Sequence, residues 1–246
     1  MLHALRPANW LDWLLLIYLA LGVWQGLRRG LLLSVAALAA SVLALVLALH
    51  YTTAAVAFAN GHWHTETNLE HYLSRQMPLP DGSGQVPYTS ASASVFTHEL
   101  QQGPAGSSDA AMASLFTSGP PPSGPTTLQG YFDQILAQRI VSFGAFTALF
   151  VGGELVLNLL AGLIFGRIAR RGVAGVLNGG LGGLFGAGER LVQAAVVLAL
   201  VASASAVPAA HALAGPLDHS RWAPALIRTF RALLPGAQRW IGAWLA

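Results

Sequence analysis

Residues 10–49 read WLDWLLLIYLALGVWQGLRRGLLLSVAALAASVLALVLAL. Two apolar runs, Trp10–Gly26 and Leu31–Leu49, flank Leu27-Arg28-Arg29-Gly30. The first is close to the minimum length for a helix that spans a hydrocarbon core, and the second carries no charge. Asn9 stands where an N-cap is expected. Asp12 falls in the first turn, near the positive end of the helix dipole. Arg28 and Arg29 follow the first apolar core instead of preceding it, and no small-residue cleavage site comes after them, so the run is expected to be a retained helix and not a signal peptide. The short connection Gly26–Gly30 predicts an antiparallel hairpin. Ala36, Ala40, Ala44 and Ala48 repeat every four residues, giving the second helix a small-residue face on which another backbone can approach closely.

The rest of the chain reads in the same terms. Of 246 residues, 54% are hydrophobic and 9% charged. Globular chains carry roughly 25% charged residues. So little charge does not coat a soluble surface of this size, and a bilayer is the solvent that accepts the remainder. The 13 basic residues are all Arg, in small scattered groups, which does not support nucleic-acid binding. There is no Cys, hence no thiol chemistry, disulfide or Cys-held metal. There is no Lys, so no phosphate-loop Lys, and no Gly-x-Ser-x-Gly nucleophile motif. The chain is read as a non-enzyme with no cofactor.

The domain organisation expected is a transmembrane hairpin over 1–50 (helices 10–27 and 31–49), a soluble and partly disordered loop over 51–138, a second hairpin over 139–207 (helices 140–165 and about 184–207), and an amphipathic tail over 208–246. The loop is Gly-, Pro- and Ser-rich near 119–125. Its acids Glu66, Glu70, Asp81, Glu99, Asp109 and Asp133 against Arg75 leave it at −5. Short helices are expected near Thr67–Arg75 and Ala110–Phe116. The third run, Ile140–Phe165, carries Glu154 near its middle and Asn158 one turn on, and ends at Arg167, Arg170 and Arg171. In residues 172–190, eight of nineteen are Gly. This segment reads either as a re-entrant turn or as a Gly-rich helix start with Gly175, Gly179 and Gly183 as a contact face. The fourth run ends before Pro208. In the tail, Pro224 suits a first helical turn. Ile227, Phe230 and Leu234 share one face, Arg228 and Arg231 lie off it, Pro235-Gly236 breaks the helix, and Trp240 and Trp244 follow: an interfacial helix. The fold class is thus all-α, a polytopic membrane protein with about four transmembrane helices. The basic turns at Arg28–Arg29 and Arg167–Arg171 belong in the cytoplasm by the positive-inside rule, which puts both termini and the 51–138 loop outside.

Asn9-Trp10-Leu11-Asp12, then Gly26-Leu27-Arg28-Arg29-Gly30 and a second apolar run, resembles the colicin V production protein (CvpA) family. The stretch Asn178-Gly179-Gly180-Leu181-Gly182-Gly183-Leu184-Phe185-Gly186 is similar to that family's (Asn/Asp)-Arg-x-x-Gly-x-x-x-Gly segment. Gly179 stands where the family often has Arg, and Glu189-Arg190 lies near its usual basic-Gly pair. The likeness covers about residues 9–50 and 135–207. It implies a bacterial inner-membrane accessory protein linked to colicin V production and export and to envelope maintenance. Asp12, Gly26, Arg29, Gly30, Asn178, Gly182, Gly186 and Arg190 are its motif-level candidates, beside the intramembrane polar residues Glu154 and Asn158.

Each candidate has a plain reading and a sharper one. An acid at the centre of a membrane helix costs about 2.5–3.5 kcal/mol on insertion scales, so Glu154 must face protein or water. It either hydrogen-bonds a neighbouring helix, through Asn158 or Asn178, or handles a proton or ion. Asp12 is a helix-start acid or has a family-specific role. Arg28 and Arg29 anchor the topology or bind anionic headgroups. His62, His64 and His71 with Glu66 and Glu70 have the side chains for zinc or copper but match no fixed ligand spacing. The partners expected are membrane lipids, further copies of the chain, or other membrane proteins. The leading reading is the CvpA-like accessory protein. The alternatives are an oligomeric channel or transporter subunit using Glu154, and a metal-binding loop protein.

Overall fold

The computed structural model describes residues 9–76, 79, 84–102, 126–169, 176–204, 216–217 and 219–233. Seven helices carry most of them: α1 (Trp10–Arg29), α2 (Leu31–Trp63), α3 (Thr65–Gln76), α4 (Ser90–Gln102), α5 (Leu128–Ala169), α6 (Val176–Ala204) and α7 (Ala223–Leu233). Among the described residues the only β-type pairing is an isolated bridge, Pro87 to Thr127. Four stretches are long and apolar enough to cross a membrane: Trp10–Arg29, Leu31–Trp63, Leu128–Phe165 and Asn178–Val201. The protein is an all-α, multi-pass membrane protein.

Local chemistry sets the helix ends. The Asp12 carboxylate accepts the Asn9 backbone N–H at 3.1 Å, the reciprocal half of a capping box that starts α1. Gly30, with φ at 78°, ends α1, and its N–H donates to the Gly26 carbonyl at 2.9 Å. A residue without Cβ takes this conformation freely, so α2 begins one residue later. Helix α2 continues past the apolar run at Leu49 because the next stretch is alanine-rich and free of Pro. Its 33 residues extend about 50 Å. It closes at His64, in the left-handed region with φ 49°. There Asn60 Oδ1 accepts the Thr65 hydroxyl at 2.6 Å and the Glu66 N–H at 3.2 Å, capping α3. Thr127 caps α5 by accepting the Gly130 N–H at 3.1 Å, twelve residues ahead of the third apolar run. From Val176 onward the Gly-rich stretch is part of the continuous helix α6, not a re-entrant turn.

The chain divides into two compact units. The first comprises Met1–Tyr51, Phe146–Leu200 and Ala214–Leu234, and so contains α1, α7, most of α6 and the adjoining parts of α2 and α5. On α2 it buries Ser34, Ala37, Ala40, Ser41, Ala44, Leu45 and Ala48, a small-residue stripe that holds three of the four alanines expected there. Ala36 is half-buried at its edge.

The second unit includes Thr52–Ala145. In the stretch expected as a soluble, partly disordered loop with a short helix near Thr67–Arg75, the described residues form α3, α4 and the start of α5 around one core. Leu128, Tyr131, Phe132, Ile135 and Leu136 follow the i, i+3, i+4, i+7, i+8 pattern of an amphipathic helix and pack with Leu73, Ala93 and Phe96. The bridge residues hold the entry to α5: Tyr88 N–H donates to the Thr126 carbonyl at 2.8 Å and Leu128 N–H to the Val86 carbonyl at 2.9 Å. Gln129 Oε1 accepts the Leu79 N–H at 2.7 Å. Outside the membrane spans, the Glu70 carboxyl is pushed above its ordinary range, first by burial and then by the neighbouring charge of Glu66. The readings at Ala110–Phe116, Arg170–Gly175, Pro208, Leu234–Gly236, Trp240 and Trp244 lie outside the described residues.

Phe132→Ala removes a ring that is 2% exposed. Such a truncation costs about 3–5 kcal/mol. The full-length variant should unfold at a clearly lower temperature in detergent, and an unchanged midpoint would mean that this core does not form.

Candidate functional site

Gly22, Gly26 and Gly30 recur every four residues along α1. Facing them on α6 are Gly182, Gly183 and Gly186. The backbones run antiparallel and nearly touch. A Cβ added at Gly22 would stand 2.7 Å from the Gly186 carbonyl oxygen, one at Gly182 2.5 Å from that of Gly26, and one at Gly186 2.9 Å from the Gly26 Cα. Real Cβ atoms do not approach within 3.0 Å, so no side chain fits along this line. In lipid, where apolar burial drives little association, such close backbone approach is a main source of helix–helix attraction. Gly180 points into open space.

This proximity brings polar side chains together inside the first unit. Asn178 Oδ1 accepts the Leu31 N–H at 2.8 Å and so caps α2 from another helix. One turn beyond Gly186, the Arg190 guanidinium donates to the Tyr18 hydroxyl at 3.0 Å, to Gln193 Oε1 at 2.8 Å and to Gln25 Oε1 at 2.7 Å. It also lies 5.0 Å from the Tyr18 ring centroid. Tyr18 donates its own hydroxyl to Gln193 Oε1 at 2.5 Å. The amide of Gln193 donates to Glu154 Oε1, and the Ser41 hydroxyl donates to the same oxygen at 2.8 Å. A single chain of hydrogen bonds therefore links α1, α2, α5 and α6. Beside it, Arg29 and Glu189 stand 3.9 Å apart, the one ion pair among the described residues. A cavity of about 520 Å³ adjoins these groups, with Arg29, Glu154, Asn158, Glu189, Arg190 and Gln193 on its polar side. The Asn158 side chain, which lines this cavity, makes no hydrogen bond among the described residues.

At the other end of α1, Asp12 is 1% exposed. Its Oδ1 accepts the Ser220 hydroxyl at 2.6 Å and the backbone N–H groups of Arg221 and Trp222 at 3.1 and 3.3 Å. Ser220 in turn accepts the Ala223 N–H at 3.0 Å. These are the free donors at the start of α7, where a negative charge is also favoured by the helix dipole. Asn9 adds a bond from its amide to the Pro216 carbonyl at 3.0 Å. One carboxylate thus caps its own helix and docks a second helix more than 200 residues along the chain.

A sequence model of the colicin V production protein family matches residues 11–76 and 109–230, more than half of the chain. The chain belongs to this family. No curated protein and no solved structure matches it. Membership supports a CvpA-like part in colicin production, and the family is not a known enzyme family. The matched region takes in the glycine contact, the polar chain and the α7 dock.

The family-motif and intramembrane polar candidates therefore fall into three places. Gly26, Gly30, Gly182 and Gly186 form the backbone contact, with Asn178 at its end. Arg29, Glu154, Asn158 and Arg190 meet at the cavity. Asp12 stands apart at the α7 dock. Glu154 takes its hydrogen bonds from Ser41 and Gln193 and not from the two asparagines expected. His62 and His64 bond through Nδ1 to the Phe58 and Asn60 carbonyls, at 3.1 and 3.2 Å. Among the described residues no three His, Asp or Glu side chains converge as a metal site. Gly22, Tyr18, Gln25, Ser41, Gln193 and Ser220 were not singled out in the sequence. The four-residue spacing Gly22-Gly26-Gly30 was the signal available for the first of these.

Gly26→Val should force α1 and α6 apart, costing upward of about 1–3 kcal/mol. Gly180→Ala should be neutral or stabilise by up to about 1 kcal/mol, since it adds only helix propensity. Unfolding midpoints of the two variants in one detergent check this contrast, and equal effects would remove the contact from the fold. Asp12→Ala should lose about 0.5–2 kcal/mol of capping at α7. The expected sign is faster protease cleavage between Leu217 and Ala223.

Proposed function

We propose that the protein is an accessory component of the bacterial inner membrane in colicin V production, working in toxin export or envelope maintenance by assembling with itself or with other membrane proteins. It is not an enzyme in this reading. The basic segments Arg28–Arg29 and Arg167–Arg171 face the cytoplasm, and both termini and residues 51–138 lie outside. Family membership supports the role, and the basic turns support the orientation.

One observation carries the assembly part. The most apolar window of α5 has 6% of its residues buried, against 22–44% for the other three spans. Leu155, Leu159 and Leu163 repeat every four residues there, each at least 65% exposed. The same helix carries Asn158, whose amide makes no hydrogen bond among the described residues and is costly to leave against lipid. A span with so few neighbours and such a polar group is suited to a further helix.

The chain has no Cys, so a single introduced thiol reports cleanly. Leu159→Cys should give disulfide-linked products larger than the monomer on mild oxidation of native membranes. Val46→Cys, on the exposed side of α2, should not. Mass spectrometry of the product separates a homodimer from a complex with a secretion or envelope component. Absence of any product from Leu159→Cys would count against assembly through α5.

A further inference from the structure

The adjacent arginines at the end of α1 do different things. The Arg28 guanidinium lies over the Trp24 ring, 4.0 Å from its centroid, on the exposed side of the helix. Arg29 turns to the cavity and stops 3.9 Å from Glu189 Oε2, at the outer limit of an ion pair. The Arg29 side chain is 45% exposed and that of Glu189 7%. A guanidinium has five N–H donors, so most of those on Arg29 remain open. Asn158 adds an amide without another partner among the described residues.

The remaining walls are apolar: Leu33, Ala37, Val151, Leu155 and Ala161. Val151 and Leu155 line the cavity and are also exposed, by 56% and 70%, so that wall is open to hydrocarbon. The volume, about 520 Å³, lies in the range of small-ligand sites, roughly 300–1,000 Å³. Arg29 is the last residue of a spanning helix, at the depth where lipid headgroups begin. The deeper polar groups, Glu154 and Gln193, already bond to each other.

We propose that this cavity binds one aminophospholipid, with its phosphate on Arg29, its primary ammonium on Glu189 and an acyl chain along Val151 and Leu155. The charge pattern selects the headgroup. A zwitterion exchanges one loose internal pair for two close ones. A purely anionic headgroup meets the buried Glu189 carboxylate behind Arg29, and a purely cationic amphiphile meets Arg29 and Arg190. The proposal does not depend on the assembly reading.

The test is competition on the purified full-length protein, with bound lipid read by native mass spectrometry. Phosphatidylethanolamine should be retained roughly threefold to tenfold over phosphatidylglycerol, the scale of one partly desolvated ion pair. Glu189→Gln should erase that preference while lipid is still retained. Arg29→Ala should lower retention of both lipids, whereas Arg28→Ala, which removes the same charge from the other side of the helix, should alter neither. Glycerophosphoethanolamine, a headgroup without chains, should not displace bound lipid. Equal retention of the two lipids by the unmodified protein, equal effects of the two Arg variants, or displacement by the free headgroup would each overturn the assignment. The first and last of these comparisons use the unmodified protein and stand even where a variant fails to fold.

Discussion

Helices α1 and α6 meet backbone to backbone because neither has a side chain where they cross. The polar contacts of α6 with α1 and with the start of α2 depend on that approach. Arg190 reaches Tyr18 and Gln25 on α1, and Asn178 reaches the first N–H of α2, because the axes are separated by so little. A methyl group at Gly26 or Gly182 would meet main chain and not the flexible end of a side chain, so the clash cannot be relieved locally. The glycines carry a penalty in a soluble helix, about 1 kcal/mol each against alanine. In a bilayer water does not compete for the backbone, and the helix persists through the Gly-rich stretch.

The second constraint is that a charge at membrane depth must be answered. Arg190 is answered by three neutral oxygens and a ring face. Its Nε is buried with no partner among the described residues. Glu154 is answered by two donors on one oxygen. Gln193 joins them, accepting from Arg190 on its carbonyl and donating to Glu154 from its amide, so the guanidinium and the Glu154 side chain are coupled through an amide in place of a direct contact. Interhelical hydrogen bonds in membranes average about 0.6 kcal/mol each. Their value here is therefore less in summed energy than in register, since sliding any one helix by a turn would strand a charged group from its partners.

The sequence displayed the four spans plainly because a bilayer demands long apolar runs, and length with composition reveals those. Glu154 stood out for the complementary reason that charge is rare there, Asp12 as an acid at a helix start, and Arg190 through the family resemblance. What the sequence concealed is pairing. Ser41, Gln193 and Tyr18 are ordinary residues until a neighbouring helix gives them a partner, and nothing local to Ser220 announces that it bonds Asp12 across 208 positions. The 52–145 core was hidden differently. Its helical pattern at Leu128–Leu136 runs directly into the apolar span from Ile140, and in the sequence those turns count with the loop. The Pro- and Gly-rich composition between them suggested an irregular loop.

The contacts of the first hairpin form an ordered series. Along the chain from Leu31 back to Asp12, the partners advance: Leu31 with Asn178, Gly26 with Gly182, Gly22 with Gly186, Tyr18 with Arg190 and Gln193, Asp12 with Ser220. This is the pattern of two antiparallel helices zipped along their length, with a helix N-terminus capped at each end of the zipper: that of α2 by Asn178 and that of α7 by Asp12. The buried face of α1 consists of Asp12, Leu15, Gly22 and Gly26, and three of those four find their partner in the second half of the chain. The first hairpin is therefore an incomplete structure. Its packing surface and the cap on α2 come from α6, and its far end, at Asp12, holds α7.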